Sequence, residues 1–212
     1  MIFDLDGTLL DTLDDIRRAL NRALTAHRRP TLERADVLAA MGDGARMLVA
    51  RALRVEPHAP EVDDVARSYA EAYQRDPTAG TRTMPGVDAL LDALDSAGIP
   101  MAVCTNKPRA VADAVLSHVL PGRFRAIVGG GDTPQLKPHR APIDAVIAAA
   151  GATQEGAIMI GDAPQDVLAA RAAGIASVAF LGGYGARAAL LSTKADLEVE
   201  RMDALVGLFA PL

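Results

Sequence analysis

Short apolar runs that end in polar or acidic residues mark this 212-residue chain at its start and through its second half. The first run, Ile2 and Phe3, ends at Asp4 and is broken by Gly7 and Thr8, which predicts a strand delivering an acid to its carboxyl edge and then a tight turn. Four further runs follow: Met101–Cys104, Ala126–Val128, Ala157–Ile160 and Ser177–Phe180. Between them the periodicity becomes helical over Val87–Ala97, Pro108–Leu120, Pro142–Ala150 and Pro164–Ala173, with Gly98, Gly151 and Gly174 where C-terminal caps belong. Apolar runs alternating with helices predict βαβ units and a Rossmann-like parallel sheet, an α/β fold. From Leu13 to about Arg75 only helical spacing occurs: Ile16, Leu20, Ala23 and Leu24 share one face, Val37, Leu38 and Met41 another, Met47, Leu48 and Leu53 a third. The expected organisation is an α/β core in two pieces, 1–12 and 83–212, and an all-helical insert over 13–82, with hinges at Thr12 and Thr83–Gly86.

Composition narrows the chemistry. With four Phe, three Tyr and no Trp, the core must be aliphatic, and few rings remain for stacking on bases. A formal charge of -5 further argues against a nucleic-acid partner. No apolar segment reaches the length of a membrane span, and Asp4 and Asp6 stand where a leader would carry basic residues and an apolar stretch. The single Cys104 forms no internal disulfide, and His27, His58, His118 and His139 lack zinc spacing; the expectation is a cytoplasmic protein. Of the 22 basic residues only Lys107, Lys137 and Lys194 are lysines, so their positions carry information.

In an open parallel sheet, ligands bind beyond the carboxyl ends of the strands. The first strand places Asp4 there, with Asp6 two residues on, a nucleophilic carboxylate beside a general acid. The run ending at Cys104 continues into Thr105, Asn106 and Lys107, with Pro108 at a first helical position. That arrangement is either a phosphate cradle of hydroxyl, backbone N–H and helix start or an ordinary helix N-cap. Lys137 lies in a loop before Pro138, and Asp162 and Asp166 flank the start of the helix after Ile160. Four converging carboxylates, Asp4, Asp6, Asp162 and Asp166, would repel one another strongly, and a hard divalent cation, Mg²⁺ above all, resolves the conflict.

The ordered set FDLDGTLLDT, the Thr of VCTNK, the Lys of LKP, and GDAPQDVLAARAAG resembles the haloacid dehalogenase superfamily of phosphatases across almost the whole chain. The resemblance implies a phosphomonoesterase with a helical cap inserted after the first motif. Asp4 would attack phosphorus and become an aspartyl-phosphate, with Asp6 as acid and then base. Mg²⁺ would be held by Asp4, the Asp6 carbonyl and Asp162. Thr105, the Asn106 N–H and Lys137 would neutralise the phosphoryl group, while Asp166 would orient Lys137 or a metal-bound water. The partner would be a small phosphorylated metabolite, and the protein a monomer or homodimer. Ala163 stands where many members carry Ser, His139 and Arg140 follow Lys137-Pro138 as a basic pair, and only three residues precede Asp4, leaving room for an upstream start.

Within the insert, MGDGARMLVARAL is similar to the cap loop of phosphoglycolate phosphatases, which makes 2-phosphoglycolate the expected substrate. Gly42, Gly44 and Arg46 are the candidate specificity residues, offering N–H groups and a guanidinium to a second anionic group, although a helix start with a solvated Arg46 fits the same residues. Tyr69 and Tyr73 are expected to pack the insert. A phosphonate hydrolase of this family would need a lysine within 13–82, and there is none. The alternatives are a sugar-phosphate mutase on the same core and a regulator that binds a phosphometabolite without turning it over.

Overall fold

The computed structural model describes residues 1–208. In chain order the elements are β1 (Ile2–Phe3), β2 (Leu10–Asp11), α1 (Leu13–Ala26), α2 (Arg34–Ala40), α3 (Gly44–Leu53), α4 (Pro60–Arg75), β3 (Arg82–Thr83), α5 (Val87–Ser96), β4 (Ala102–Pro108), α6 (Arg109–Val119), β5 (Ala126–Gly130), α7 (Ala141–Ala149), β6 (Ile158–Gly161), α8 (Pro164–Ala173), β7 (Ala176–Phe180), α9 (Arg187–Ser192) and β8 (Leu197–Val199), then a 3-10 helix over Met202–Leu208. Among the described residues six strands form one parallel sheet in the order β5-β4-β1-β6-β7-β8. The earliest strand is thus central, and the chain builds outward from it first toward β5 and then toward β8. The crevice at the carboxyl ends of β4, β1 and β6 lies where that order reverses.

Alternation along the strands divides the core into two layers. Phe3, Val103 and Ile160 face one side, packed with Leu90, Leu91 and Leu94 of α5 and Val111 and Val115 of α6. Ile2, Cys104 and Met159 face the other, against Ile143 and Val146 of α7 and Ala169 and Ala170 of α8. Both faces are covered, which is why these strands read as continuous apolar runs. No helix among the described residues is long and apolar enough to cross a membrane.

Helices α1 to α4 occupy the predicted insert. Ile16, Leu20 and Leu24 of α1 are buried with Val62, Val65, Tyr69 and Tyr73 of α4, as the 3.6-residue spacing requires. The hinges are more than points. Leu10 and Asp11 pair antiparallel with Thr83 and Arg82, so β2 and β3 form a two-stranded ribbon at the base of the insert. A second departure concerns Pro108. The chain stays extended to that residue, with a register irregularity between Cys104 and Pro108, and α6 starts at Arg109. Thr105 and Asn106 therefore neither cap a helix nor sit at its start, because their side chains are engaged elsewhere. Strand β8 and α9 carry too short a periodic signal to be read from sequence.

Candidate active site

Four strand ends and loops supply the floor of a cavity of about 760 Å³. Strand β1 delivers Asp4, whose N–H donates to the carbonyl of Ile160 (2.9 Å) and so ties the β1 and β6 ends together. Its side chain keeps 13% exposure, facing the cavity. Lys137, 1% exposed at its side chain, donates from Nζ to Asp4 Oδ1 (2.8 Å), Asp166 Oδ1 (2.7 Å) and the Cys104 carbonyl (2.6 Å), with its peptide to Pro138 cis. All three of its donors are thus matched. Asp166 in turn accepts from the Ala163 N–H through Oδ2 (3.0 Å). Gly161 is required here, since a Cβ on it would lie 2.2 Å from the Asp166 carboxylate.

Asp162, at the end of β6, is not the cap of α8, a position taken by Ala163. Thr8 donates its hydroxyl to Asp162 Oδ1 (2.7 Å), and the N–H groups of Tyr184 and Gly185 donate to Oδ2 (2.7 and 3.1 Å). The Tyr184 hydroxyl accepts from the N–H groups of Thr12 (2.8 Å) and Leu13 (3.0 Å) and donates to Asp11 (2.6 Å). It thereby caps the start of α1, whose own cap residue Thr12 spends its hydroxyl on Asp6 (2.6 Å).

Asp6 lines the same cavity but is not part of the close cluster that Asp4, Asp162 and Asp166 form. Lys107, 3% exposed at its side chain, donates to both of its oxygens (2.9 and 3.1 Å) and to the Tyr73 hydroxyl of α4 (3.1 Å), with the ammonium 4.4 Å from the Tyr73 ring centroid. Tyr69 and Tyr73 do pack edge to face in the insert, but Tyr69 also lines the cavity. Asn106 welds two parts of the floor: its Oδ1 accepts from the Lys137 N–H (2.9 Å) and its Nδ2 donates to the Lys137 carbonyl (3.0 Å). Thr105, 4% exposed, lines the cavity and accepts from the Lys107 N–H (3.2 Å).

The insert forms the roof. Gly42 and Gly44 line the cavity, and the Gly42 carbonyl accepts from Asn106 Nδ2 (3.2 Å) and Gln165 Nε2 (2.8 Å), both on the core. Gly42 has φ +114, and a Cβ there would meet Gln165 Nε2 at 2.7 Å. Arg46 does not join them. It is exposed, bonded to Asp63 and to the carbonyl of Pro57 (2.8 Å), because that position of α3 turns away from the core. The cavity's arginine is Arg51, which binds Asp43 and the carbonyls of Ala40 and Met41. His139 and Arg140 also lie outside the cavity lining, Arg140 pairing with Asp144 (2.7 Å) and His139 Nδ1 accepting from the Ala141 N–H (3.0 Å).

Carboxylate oxygens of Asp4, Asp162 and Asp166 lie within 4.8 Å of one another. Burial, then repulsion from Asp166 and Asp6, pushes Asp4 up to about 6 against the pull of Lys137. Burial, then repulsion from Asp4 and Asp166, pushes Asp162 up to about 7. Burial pulls the Lys137 ammonium down, but Asp166 and Asp4 outweigh it and hold the group well above its ordinary value. One lysine facing three buried acids leaves negative charge unbalanced, and all the donors are hard oxygens. The set fits a hard divalent cation. Cys104 is no competing nucleophile, since burial pushes its thiol up to about 12.

Thr8, Thr12, Gln165 and Tyr184 also line or brace this cavity, though sequence reasoning gives them no part in it; Lys107 it places only as the residue after Thr105 and Asn106. Only the scarcity of lysine offered a pointer, to Lys107.

Residues 1–180 match the family model described as haloacid dehalogenase-like hydrolase. The chain is 40% identical over 192 residues to a phosphoglycolate phosphatase of Rhodospirillum rubrum, covering 87% of this chain and 80% of that protein. It is 38% identical over 188 residues to one of Cereibacter sphaeroides, covering 87% and 85%. Among solved structures it is similar to that of a predicted phosphoglycolate phosphatase of Haemophilus somnus, with a TM-score of 0.88 at 28% identity and coverage of 99% and 96%.

Proposed function

The chain belongs to the haloacid dehalogenase-like hydrolase family, and from that premise we propose that it is a Mg²⁺-dependent phosphomonoesterase acting on a small phosphorylated metabolite, with 2-phosphoglycolate as its substrate. Asp4 attacks phosphorus in line, forming a bond to one carboxylate oxygen as the ester P–O bond breaks. Asp6 gives its proton to the departing alkoxide. A water deprotonated by Asp6 then attacks the aspartyl-phosphate, releasing inorganic phosphate and restoring Asp4. Thr105, the Asn106 N–H and Lys137 stabilise the charge on the phosphoryl oxygens. Asp4, the Asp6 carbonyl and Asp162 would hold Mg²⁺, which would supply neutralisation of phosphate charge; Asp166 orients Lys137. Residues 13–82 act as the cap that selects the leaving group.

The observation that carries this reading is the buried Lys137 ammonium, 2.8 Å from Asp4 and 2.7 Å from Asp166, two of the three clustered acids. The names of the relatives at 38–40% identity support the substrate. The test is phosphate release from 2-phosphoglycolate with and without Mg²⁺, set beside Asp4→Asn and beside phosphate transfer on β-glucose 1-phosphate. Mg²⁺-dependent release that Asp4→Asn abolishes is expected; turnover by Asp4→Asn, or transfer without release, would sink the scheme.

A further inference from the structure

Three cations line the cavity: Lys137, Arg51 and Lys107. Lys137 is committed to Asp4, Asp166 and a carbonyl. Arg51 is neutralised by Asp43 and spends its other contacts on two carbonyls of the roof. Lys107 differs from both. Its one carboxylate partner is Asp6, the group that the reading above assigns to the ester oxygen, and its other partner is the Tyr73 hydroxyl.

We propose that Lys107, propped by Tyr73, is the specificity-determining cation of the leaving-group side, and that it selects esters carrying a carboxylate on the carbon next to the ester oxygen. The proposal rests on the phosphomonoesterase reading. An ester oxygen placed within hydrogen-bond reach of Asp6 lies beside the ammonium 2.9 Å from the same carboxylate. A substituent two bonds from that oxygen therefore meets Lys107 before any other cation. Ile16, Leu38 and Leu48 of the lining offer a charged substituent no partner, and Arg51 is already bonded to Asp43 and two carbonyls of the roof. One compact ammonium balances one carboxylate; a second phosphate, with its greater charge, asks for the forked donors of a guanidinium that is not already paired. Tyr73 fixes the ammonium from behind by its hydroxyl at 3.1 Å and its ring, so the donor is pre-aimed by the insert.

The test compares 2-phosphoglycolate with 2-hydroxyethyl phosphate, the same ester with the carboxylate replaced by a neutral hydroxymethyl group. The readout is the ratio of the two kcat/KM values in the wild type and in Lys107→Gln. The wild type is expected to favour the carboxylate, and the ratio to fall at least about 30-fold in Lys107→Gln, chiefly through KM, as for removal of one partner of a buried charge pair. Lys107→Arg, which keeps the charge, should recover part of it. A wild-type ratio near one overturns the assignment, as does a ratio unchanged in Lys107→Gln while both rates fall together, the signature of a residue that serves Asp6 alone. If Lys107→Gln does not fold, Tyr73→Phe is read in its place: a fall of about threefold in the ratio is expected from loss of one hydrogen bond, and an unchanged ratio overturns the assignment. Failure of the underlying reading is distinct, since the wild type would then release no phosphate from either ester.

Discussion

The floor and the roof of the cavity are built on opposite principles. On the floor, Asp162, Asp166 and Lys137 are each tied by two or more partners and nearly removed from water, and Lys137 holds Asp4 at the cavity. On the roof, the charged residues of α3 are solvent-facing pairs, Arg46 with Asp63 and Arg51 with Asp43, and across the cavity the roof bonds to the core through the Gly42 carbonyl, to Asn106 and Gln165, and through Tyr73, to Lys107. A charge in low dielectric is expensive to unpair, whereas an exposed pair contributes little. The two regions therefore differ in how they are held, the floor by buried charge and the roof by a few contacts across the cavity.

The sharpest way to break this contrast is Lys137→Met. It leaves Asp4 and Asp166 without their shared cation, and a loss of about 3–5 kcal/mol in stability is expected. A fall of at least about 10³-fold in kcat should accompany it. Denaturant unfolding and phosphate-release kinetics would measure the two, and a stable, active variant would mean the floor is not held by charge.

The next test is pH. Asp4 and Asp162 titrate near 6 and 7 in the fold against an ordinary value of 3.8. Between about pH 4 and pH 7 the folded form thus keeps protons that the unfolded chain has released. By linkage the metal-free protein loses stability as pH rises through that window. Its melting temperature should fall from about pH 5 to about pH 7.5, and Mg²⁺ should raise it more at the upper value. A melting temperature of the metal-free protein that climbs over this range would contradict the crowding of acids.

Substitutions on the roof and at its contact with Gln165 of the core should be milder and fall on KM. Gly42→Ala, at φ +114 and against Gln165, is expected to raise KM about tenfold, and Gln165→Ala about threefold, with kcat little changed. Smallest of all, Arg46→Ala should shift KM by less than about twofold, since it removes only an exposed pair. Arg51→Ala should exceed it, and initial-rate kinetics giving equal effects would erase the distinction between the two faces of α3.

Asp4 and Asp162 were legible in the sequence because each ends an apolar run, and the strand order simply brings those ends together. Lys137 was legible as a scarce residue type in a loop, and Asp166 by its distance from Asp162 along a helix start. What the sequence could not supply was rotation and long-range partnership. Arg46 and Arg51 both fall on α3, but five positions turn a helix by about 140° net, so choosing Arg46 chose the wrong side. Thr12 looked like a hinge and is also a ligand of Asp6. Lys107 meets an acid 101 residues away, and Tyr184 meets the start of α1 across 171 residues. Pairings at that separation have no local signature. The helical character of α1 to α3 was legible from residue spacing, because burial in an amphipathic helix follows the 3.6-residue period.

Tyr184 touches both regions at once. Its backbone N–H holds an oxygen of Asp162, while its hydroxyl closes the first turn of α1, the helix by which the roof leaves the core. A swing of α1 must therefore be felt at Asp162, and coupling free energies run equally in both directions. Whatever a raised roof does to the grip of Asp162 on a cation, a cation seated there does in the same measure to the roof. Ion binding at Asp162, as proposed, and the seating of α1 on the core would then be linked through Tyr184.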